Sequence, residues 1–278
     1  MDIDAFSYWE RLQRAALGNG GAADYAAEEA RWRRLTRDYD RNALHSSAPE
    51  LVRRLTRHIE LGESVLEIGP GTGGFTLPIA SFAATVTALD ISEAMLSILQ
   101  QKLTAGSIGN VRCLLGEWPD TPVTPHDCVV AVNSLYRIRD IRSCIEAMSA
   151  AARRRVVVVW SVGHNPPVLP SLVDPVGPRR YRPGVTYIHL LLALHELGID
   201  AEVSMMRVPR VVFRASYEEA AARLLSVDDP KPEERRAAET LAQQMFQPTE
   251  DGVVHRYDGQ VAVIGWAGRG DGWHGRQR

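Results

Sequence analysis

The stretch over residues 64–90, SVLEIGPGTGGFTLPIASFAATVTALD, constrains this chain more than any other. A short apolar run, Val65-Leu66-Glu67-Ile68, leads into the turn Gly69-Pro70-Gly71-Thr72-Gly73-Gly74. A helical pattern follows over 75–83, and a second apolar run over 85–89 ends on Asp90. That order predicts one β-α-β unit whose first turn lets backbone come close to a nucleotide-like ligand. The glycines alone fit two patterns, G-x-G-x-x-G through Gly69, Gly71 and Gly74, or G-x-G-x-G through Gly69, Gly71 and Gly73. Glu67 favours the second reading. A carboxylate near the strand end repels a pyrophosphate and attracts a cationic amino group. Asp90, ending the second strand, can accept hydrogen bonds from two ribose hydroxyls, and Ser92 can cap the next helix.

The motifs V-L-E-I-G-P-G-T-G-G-F-T and A-L-D-I-S-E-A-M-L resemble those of the class I S-adenosylmethionine-dependent methyltransferases, with the likeness running over 64–163. The resemblance implies an α/β, Rossmann-like, seven-stranded, mostly parallel sheet with helices on both faces. It implies S-adenosylmethionine as cofactor and S-adenosylhomocysteine as product. The cofactor would be held by Glu67, Gly69, Gly71, Thr72, Gly73, Asp90, Ile91 and Met95. In the family an acid or amide after strand three often bonds adenine while a neighbour packs on the ring; Glu117 and Trp118 stand there. A polar residue at the position of Asn133 often faces the cofactor. Many members carry His near the position of Tyr136, and the Tyr here puts a base role inferred from that His in doubt. The pattern of Trp32 with Tyr39-Asp40 is similar to the N-terminal segment of small-molecule methyltransferases, where an aromatic and an acid close over the cofactor.

With 278 residues the chain can bury a large α/β core. A net charge of -2 gives no overall electrostatic case for nucleic acid. Cys113, Cys128 and Cys144 lie in apolar segments without metal-ligand spacing and are expected as reduced core residues; no metal site is expected. No apolar run reaches membrane-spanning length, and the N-terminus, with Asp2 and Asp4, is unlike a signal peptide. A cytoplasmic protein, monomer or homodimer, is the expectation.

Residues 1–60 read as a helical cap, with helices over 22–40 and 49–59. Its arginines suggest a solvated face paired with acids, or else a site for an anionic acceptor. The core is expected over 61–268, with strands over 64–68, 85–90, 110–115, 126–132, 156–162, 200–208 (reaching 213) and 260–266. Arg153-Arg154-Arg155 is expected at the end of a helix over 139–152, where cations suit the dipole. The proline-rich 164–184 reads as an acceptor-side loop, and 184–197 as an apolar helix. The separation of the last two strands, about fifty residues, far exceeds an ordinary connection and predicts a helical insertion over 215–247. Residues 269–278 read as a flexible tail.

S-adenosylmethionine brings its own electrophile, so such a site can work by alignment alone. Should an oxygen or nitrogen acceptor need a base, the candidates are His164, His189, His195 and Tyr136, with His45 further upstream. The leading expectation is methyl transfer to an oxygen or nitrogen of a small molecule or short peptide in specialised metabolism, with no nucleic-acid or membrane partner. The alternatives are an RNA methyltransferase using the arginine-rich face, and a non-catalytic regulatory protein that binds S-adenosylmethionine.

Overall fold

Strand β4 (His126–Val132, HDCVVAV) is apolar on both faces, so it is stable only where both faces are covered. In this computed structural model, which describes residues 4–17, 25–162, 184–225 and 230–269, it lies in the middle of the sheet. The sheet has eight strands in the order β3-β2-β1-β4-β5-β8-β6, with β7 pairing on β8. The parallel part comprises β1 (Ser64–Ile68), β2 (Thr85–Asp90), β3 (Val111–Leu115), β4 and β5 (Ala152–Val162). β6 (Glu202–Arg214) and the long β8 (Gly252–Ala267) complete it, β8 running antiparallel to both of its neighbours.

The alternation of side chains divides the core between the two faces. Val129, Ala131, Val156 and Val158 face one cluster with Trp9, Ile145, Leu190 and Trp266. Cys128, Val130, Val157 and Val159 face the other with Leu51, Leu55, Phe75 and Ile79. The first face carries α1 (Ala5–Leu17), α7 (Ile141–Ala151) and α8 (Tyr187–Glu196); the second carries α4 (Pro49–Thr56) and α5 (Thr76–Ala80). α6 (Glu93–Ala105) packs on β2 and β3. α2 (Tyr25–Asn42) and the short α3 (Leu44–Ser47) bridge from α6 to β6. The cysteines are free, Cys128 and Cys144 buried and Cys113 half-buried. No helix among the described residues is long and apolar enough to cross a membrane.

Three expectations change. The sheet gains a strand, because the last strand starts at Gly252 rather than at residue 260 and folds back on β7 (Gln247–Thr249). The polar alternation of GVVHRYDG hides a strand that β6 pairs along its whole length. The arginine triplet lies inside β5, not at a helix end. Its charges are met by acids at the amino end of the sheet, Arg153 by Asp127, Arg154 by Glu63 and Arg155 by Glu202. Beyond Val162, the last residue of β5 to pair with β8, strands β6 and β8 continue as a two-stranded arm to the pair Arg214–Val253. The helices α9 (Tyr217–Leu225) and α10 (Pro232–Met245) pack on it around Val212, Ala238, Phe246 and Val253.

Leu51 is fully buried between α4 and the sheet. Leu51→Ala should cost about 2–5 kcal/mol in urea denaturation, while Leu61→Ala, at a side chain 85% exposed, should change stability by less than about 0.5 kcal/mol.

Candidate functional site

The glycine turn lies where β1 ends, beside the end of β2. Gly69, Gly71 and Gly73 adopt positive φ of 71°, 56° and 89°, a region open to glycine at little steric cost. Gly74 does not; it is glycine for another reason. The His45 ring lies against it, with Nδ1 1.9 Å from where a Cβ would stand. The turn therefore uses the spacing of Gly69, Gly71 and Gly73, and Gly74 makes room for α3.

Two carboxylates lie under this turn. Glu67, 2% exposed, accepts a hydrogen bond from Thr76 Oγ1 at 2.6 Å. Burial pushes its pKa up to about 7, with nearby Asp90 adding to the rise and the Thr76 bond opposing it. Asp90, 8% exposed, accepts from the backbone N–H groups of Gly71 and Ser92, each at 2.9 Å. Burial raises its pKa as well, against those backbone bonds.

α2 is laid over the turn and tied at both ends. Near its start, Glu29 accepts from Ser92 Oγ at 2.7 Å and from the N–H of Ala94 at 3.1 Å, at the first turn of α6. Near its end, Asp40 accepts from Thr72 Oγ1 and from Lys102 Nζ, the latter at 2.6 Å. Lys102 also donates to the Thr72 carbonyl at 3.0 Å. Burial works to raise the Asp40 pKa, but the Lys102 and Thr72 bonds outweigh it and hold the carboxyl below its ordinary value. His45 Nε2 lies 3.9 Å from Asp40, and its pKa is lowered by burial despite that acid. Between these ties Tyr39 brings its hydroxyl to 3.1 Å from the Cβ position of Gly71. Burial foremost, then the nearness of Tyr136, Asp90, Asp40 and Glu67, raises the pKa of this phenol and keeps it protonated. Trp32 meets the Tyr39 ring edge-on at 6.4 Å.

Tyr39, Glu67, the glycines, Thr72, Asp90 and Tyr136 thus come together. Ile91 follows directly on β2, and Met95 is buried in the first turn of α6. Glu117 is half-buried after β3, while Trp118 joins the core under the first face. Asn133, at φ 48°, turns its amide to β5, donating to Ser161 Oγ at 2.9 Å and accepting from the Ser161 N–H at 2.7 Å. His189 forms the N-terminal cap of α8 with Thr186 and lies tilted against the Tyr8 ring at 5.4 Å. His195 is exposed in the last turn of the same helix, at the end away from that cap. His164 and the proline-rich stretch 164–183 lie outside the described residues. His45, named among the candidate bases, joins the cluster, and Glu29 and Lys102 complete it without any local signal. Glu29 and Lys102 meet partners more than sixty residues away in the chain, and no spacing rule reaches that far.

A Glu67 pKa of about 7, above the ordinary 4.5, means that the folded protein holds a proton the unfolded chain releases. Stability of the ligand-free protein should therefore fall as pH rises from about 4.5 through 7, by an amount on the order of 3 kcal/mol. Glu67→Gln should flatten this decline in urea melts taken between pH 5 and 8 and should be the more stable protein at pH 8. A wild-type curve that rises over that window would contradict the assignment.

Over residues 65–155 the chain matches the family described as Methyltransferase domain. An uncharacterized protein of Haemophilus influenzae is 31% identical over 168 residues, which cover 59% of this chain and 62% of that one. The match thus spans less than two thirds of that relative's length. The magnesium-protoporphyrin O-methyltransferase of Rhodobacter capsulatus is 29% identical over 153 residues, 54% of this chain and 67% of that one. Among solved structures, the 4+2 cyclase SpnF superposes with a TM-score of 0.56 at 15% identity, covering 87% of this chain and 96% of its own; the likeness is one of fold. The family match over residues 65–155 takes in β1 through the start of β5, with the glycine turn and both buried carboxylates, so this part of the chain is similar to a methyltransferase domain.

Proposed function

We propose that this protein transfers the methyl group of S-adenosylmethionine to an oxygen or nitrogen atom of a small molecule or short peptide. The observation that carries the reading is the buried pair Glu67 and Asp90 at the ends of adjacent strands, under a turn opened by positive-φ glycines. A fully buried carboxyl with a raised pKa suits an incoming cation, and the cofactor's amino group supplies one. Asp90 keeps lone pairs for ribose hydroxyls, and Gly71 with Thr72 offers backbone to the amino-acid end. Tyr39 and α2 form the lid over that end, and Glu117 follows β3 where an adenine amino group would be met.

When bound, the cofactor supplies an activated methyl; the chain's own work is to hold, orient and shield. Tyr136, close to Tyr39, is the best-placed hydrogen-bonding group for an acceptor. The acceptor side would be built by the N-terminal helices, the 164–184 loop and the 215–247 insertion. The relative from Rhodobacter, an O-methyltransferase by its description, favours an oxygen acceptor. An RNA acceptor is the weaker reading. Of the N-terminal arginines, Arg33, Arg41 and Arg53 pair with Glu29, Asp251 and Glu50, leaving less positive charge for a polyanion.

Calorimetry should show binding of S-adenosylmethionine and none of NAD. Asp90→Ala should weaken it by about 1–3 kcal/mol, as for a lost hydrogen bond to a charged group. Repeating the titration near pH 7 in two buffers of different ionisation enthalpy should reveal proton release, because the incoming ammonium lowers the Glu67 pKa. NAD binding with no S-adenosylmethionine signal would end the methyltransferase reading. Hydrogen exchange over Tyr25–Asn42 should slow when the cofactor is added, and unchanged exchange there would reduce Tyr39 to a packing residue.

A further inference from the structure

Arg210, on the β6–β8 arm, is only 7% exposed, yet its Nη1 is buried with no partner among the described residues. The arginines at the amino end of β5 are answered by acids, Arg153 by Asp127, Arg154 by Glu63 and Arg155 by Glu202. The Arg210 guanidinium instead stands beside the Tyr257 hydroxyl, on the residue paired opposite it. A phenol cannot neutralise a guanidinium, and a buried cation that no acid among the described residues pairs with is costly.

The surroundings are shaped to keep the charge there. The Arg210 stem lies across Gly259, with Cγ 2.7 Å from where a Cβ would stand, so any side chain at 259 would displace it. Tyr257 stacks on His255 at 5.3 Å and 17°, and His255 meets Phe246 at 5.5 Å. His255 Nδ1 lies 2.8 Å from the Met245 carbonyl, which orients the ring as a donor and holds the stack in place. An aromatic wall thus ends at a buried guanidinium fork that retains a free donor.

A planar guanidinium matches carboxylate and phosphate oxygens in pairs. We propose that Arg210, with the Tyr257 hydroxyl beside it, forms an oxyanion-binding subsite that takes the carboxylate or phosphate group of a small molecule. The site lies beyond the end of β5, on the arm that carries α9 and α10, and its test is independent of methyl transfer.

The test uses the full chain with inorganic phosphate and with benzoate, at ionic strength held constant with sodium chloride, read by calorimetry and thermal melts. Wild type should bind at least one of the two saturably and melt at a higher temperature in its presence. Arg210→Met should abolish both effects. Tighter binding of benzoate assigns the site to an organic carboxylate set against the aromatic wall; tighter binding of phosphate assigns it to a phosphate. If Arg210→Met does not fold, Tyr257→Phe decides, with binding expected to fall about tenfold. No saturable binding of either ion by wild type, equal binding by Arg210→Met, or an unchanged affinity in Tyr257→Phe would overturn the proposal.

Discussion

Two carboxylates buried side by side at the ends of β1 and β2 are the constraint on which the rest of this structure turns. Glu67 and Asp90 are nearly inaccessible, and Asp90 makes ionisation of Glu67 harder. A fold optimised for stability alone would place apolar side chains there, as it does all around them at Leu66, Ile68, Ala88 and Leu89. Both acids are tolerated because donors surround them: the Thr76 hydroxyl for one, and the N–H groups of Gly71 and Ser92 for the other. The Gly71 N–H points inward where the turn passes through positive φ at Gly69, Gly71 and Gly73. Glycine geometry and acid burial are therefore one arrangement. Substituting Gly71 would misdirect its N–H, and removing Asp90 would leave that N–H without its acceptor.

The parallel strands were legible because their chemistry is local. VLEI, TVTALD and HDCVVAV carry the apolar runs that strands buried on both faces need, and the observed bounds of β1, β2 and β4 are those read from the sequence. The Glu67 and Asp90 positions were legible for the same reason, since each is a charge interrupting or ending an apolar run. What stayed hidden depends on partners distant in the chain. Nothing near Glu29 shows that it will meet Ser92, and nothing near Gly74 shows that a histidine from α3 will need its missing side chain. The arginine triplet at 153–155 misled because helix-end cations are favourable, and only tertiary structure brings Asp127, Glu63 and Glu202 to it. β8 was read short because GVVHRYDGQ mixes charge, glycine and aromatics. Pairing over its full length with β6 outweighs that weak local preference.

α1 shows how the cap is keyed to the core rather than merely resting on it. Trp9 is fully buried, and its Nε1–H donates to the Ile138 carbonyl at 2.7 Å. Gln13, 1% exposed, donates to the carbonyls of Tyr136 and Ile138, each at 2.8 Å. These carbonyls lie in and just after the single 3-10 turn Leu135–Arg137 that follows β4, and α1 supplies their donors. The helix thus fixes the backbone that presents Tyr136. A tryptophan and a glutamine four residues apart lie on one helix face, but nothing in their spacing shows the loop they hold.

α2 binds two regions that sequence alone treats as separate. Its Glu29 and Asp40 reach the α6 end, the glycine turn and Lys102. Arg41 and Asn42, the next residues along, reach the arm: Arg41 pairs with Asp251 at 2.6 Å and lies over the Phe213 ring at 4.1 Å. Asn42 accepts from the Phe213 N–H at 2.8 Å and from Arg214 Nη1 at 3.2 Å. Asp40 and Arg41 thus face opposite ways from adjacent positions on one helix. α2 cannot swing away from the glycine turn without also straining its hold on the β6–β8 arm. The Arg41–Asp251 pair is half-exposed and weak by itself. The Asn42 bond is different, because it satisfies an N–H at the outer edge of β6 that no strand pairs. Moving α2 off the turn would uncover that edge as well, so the contacts at the glycine turn and those at the arm hold the helix in place together.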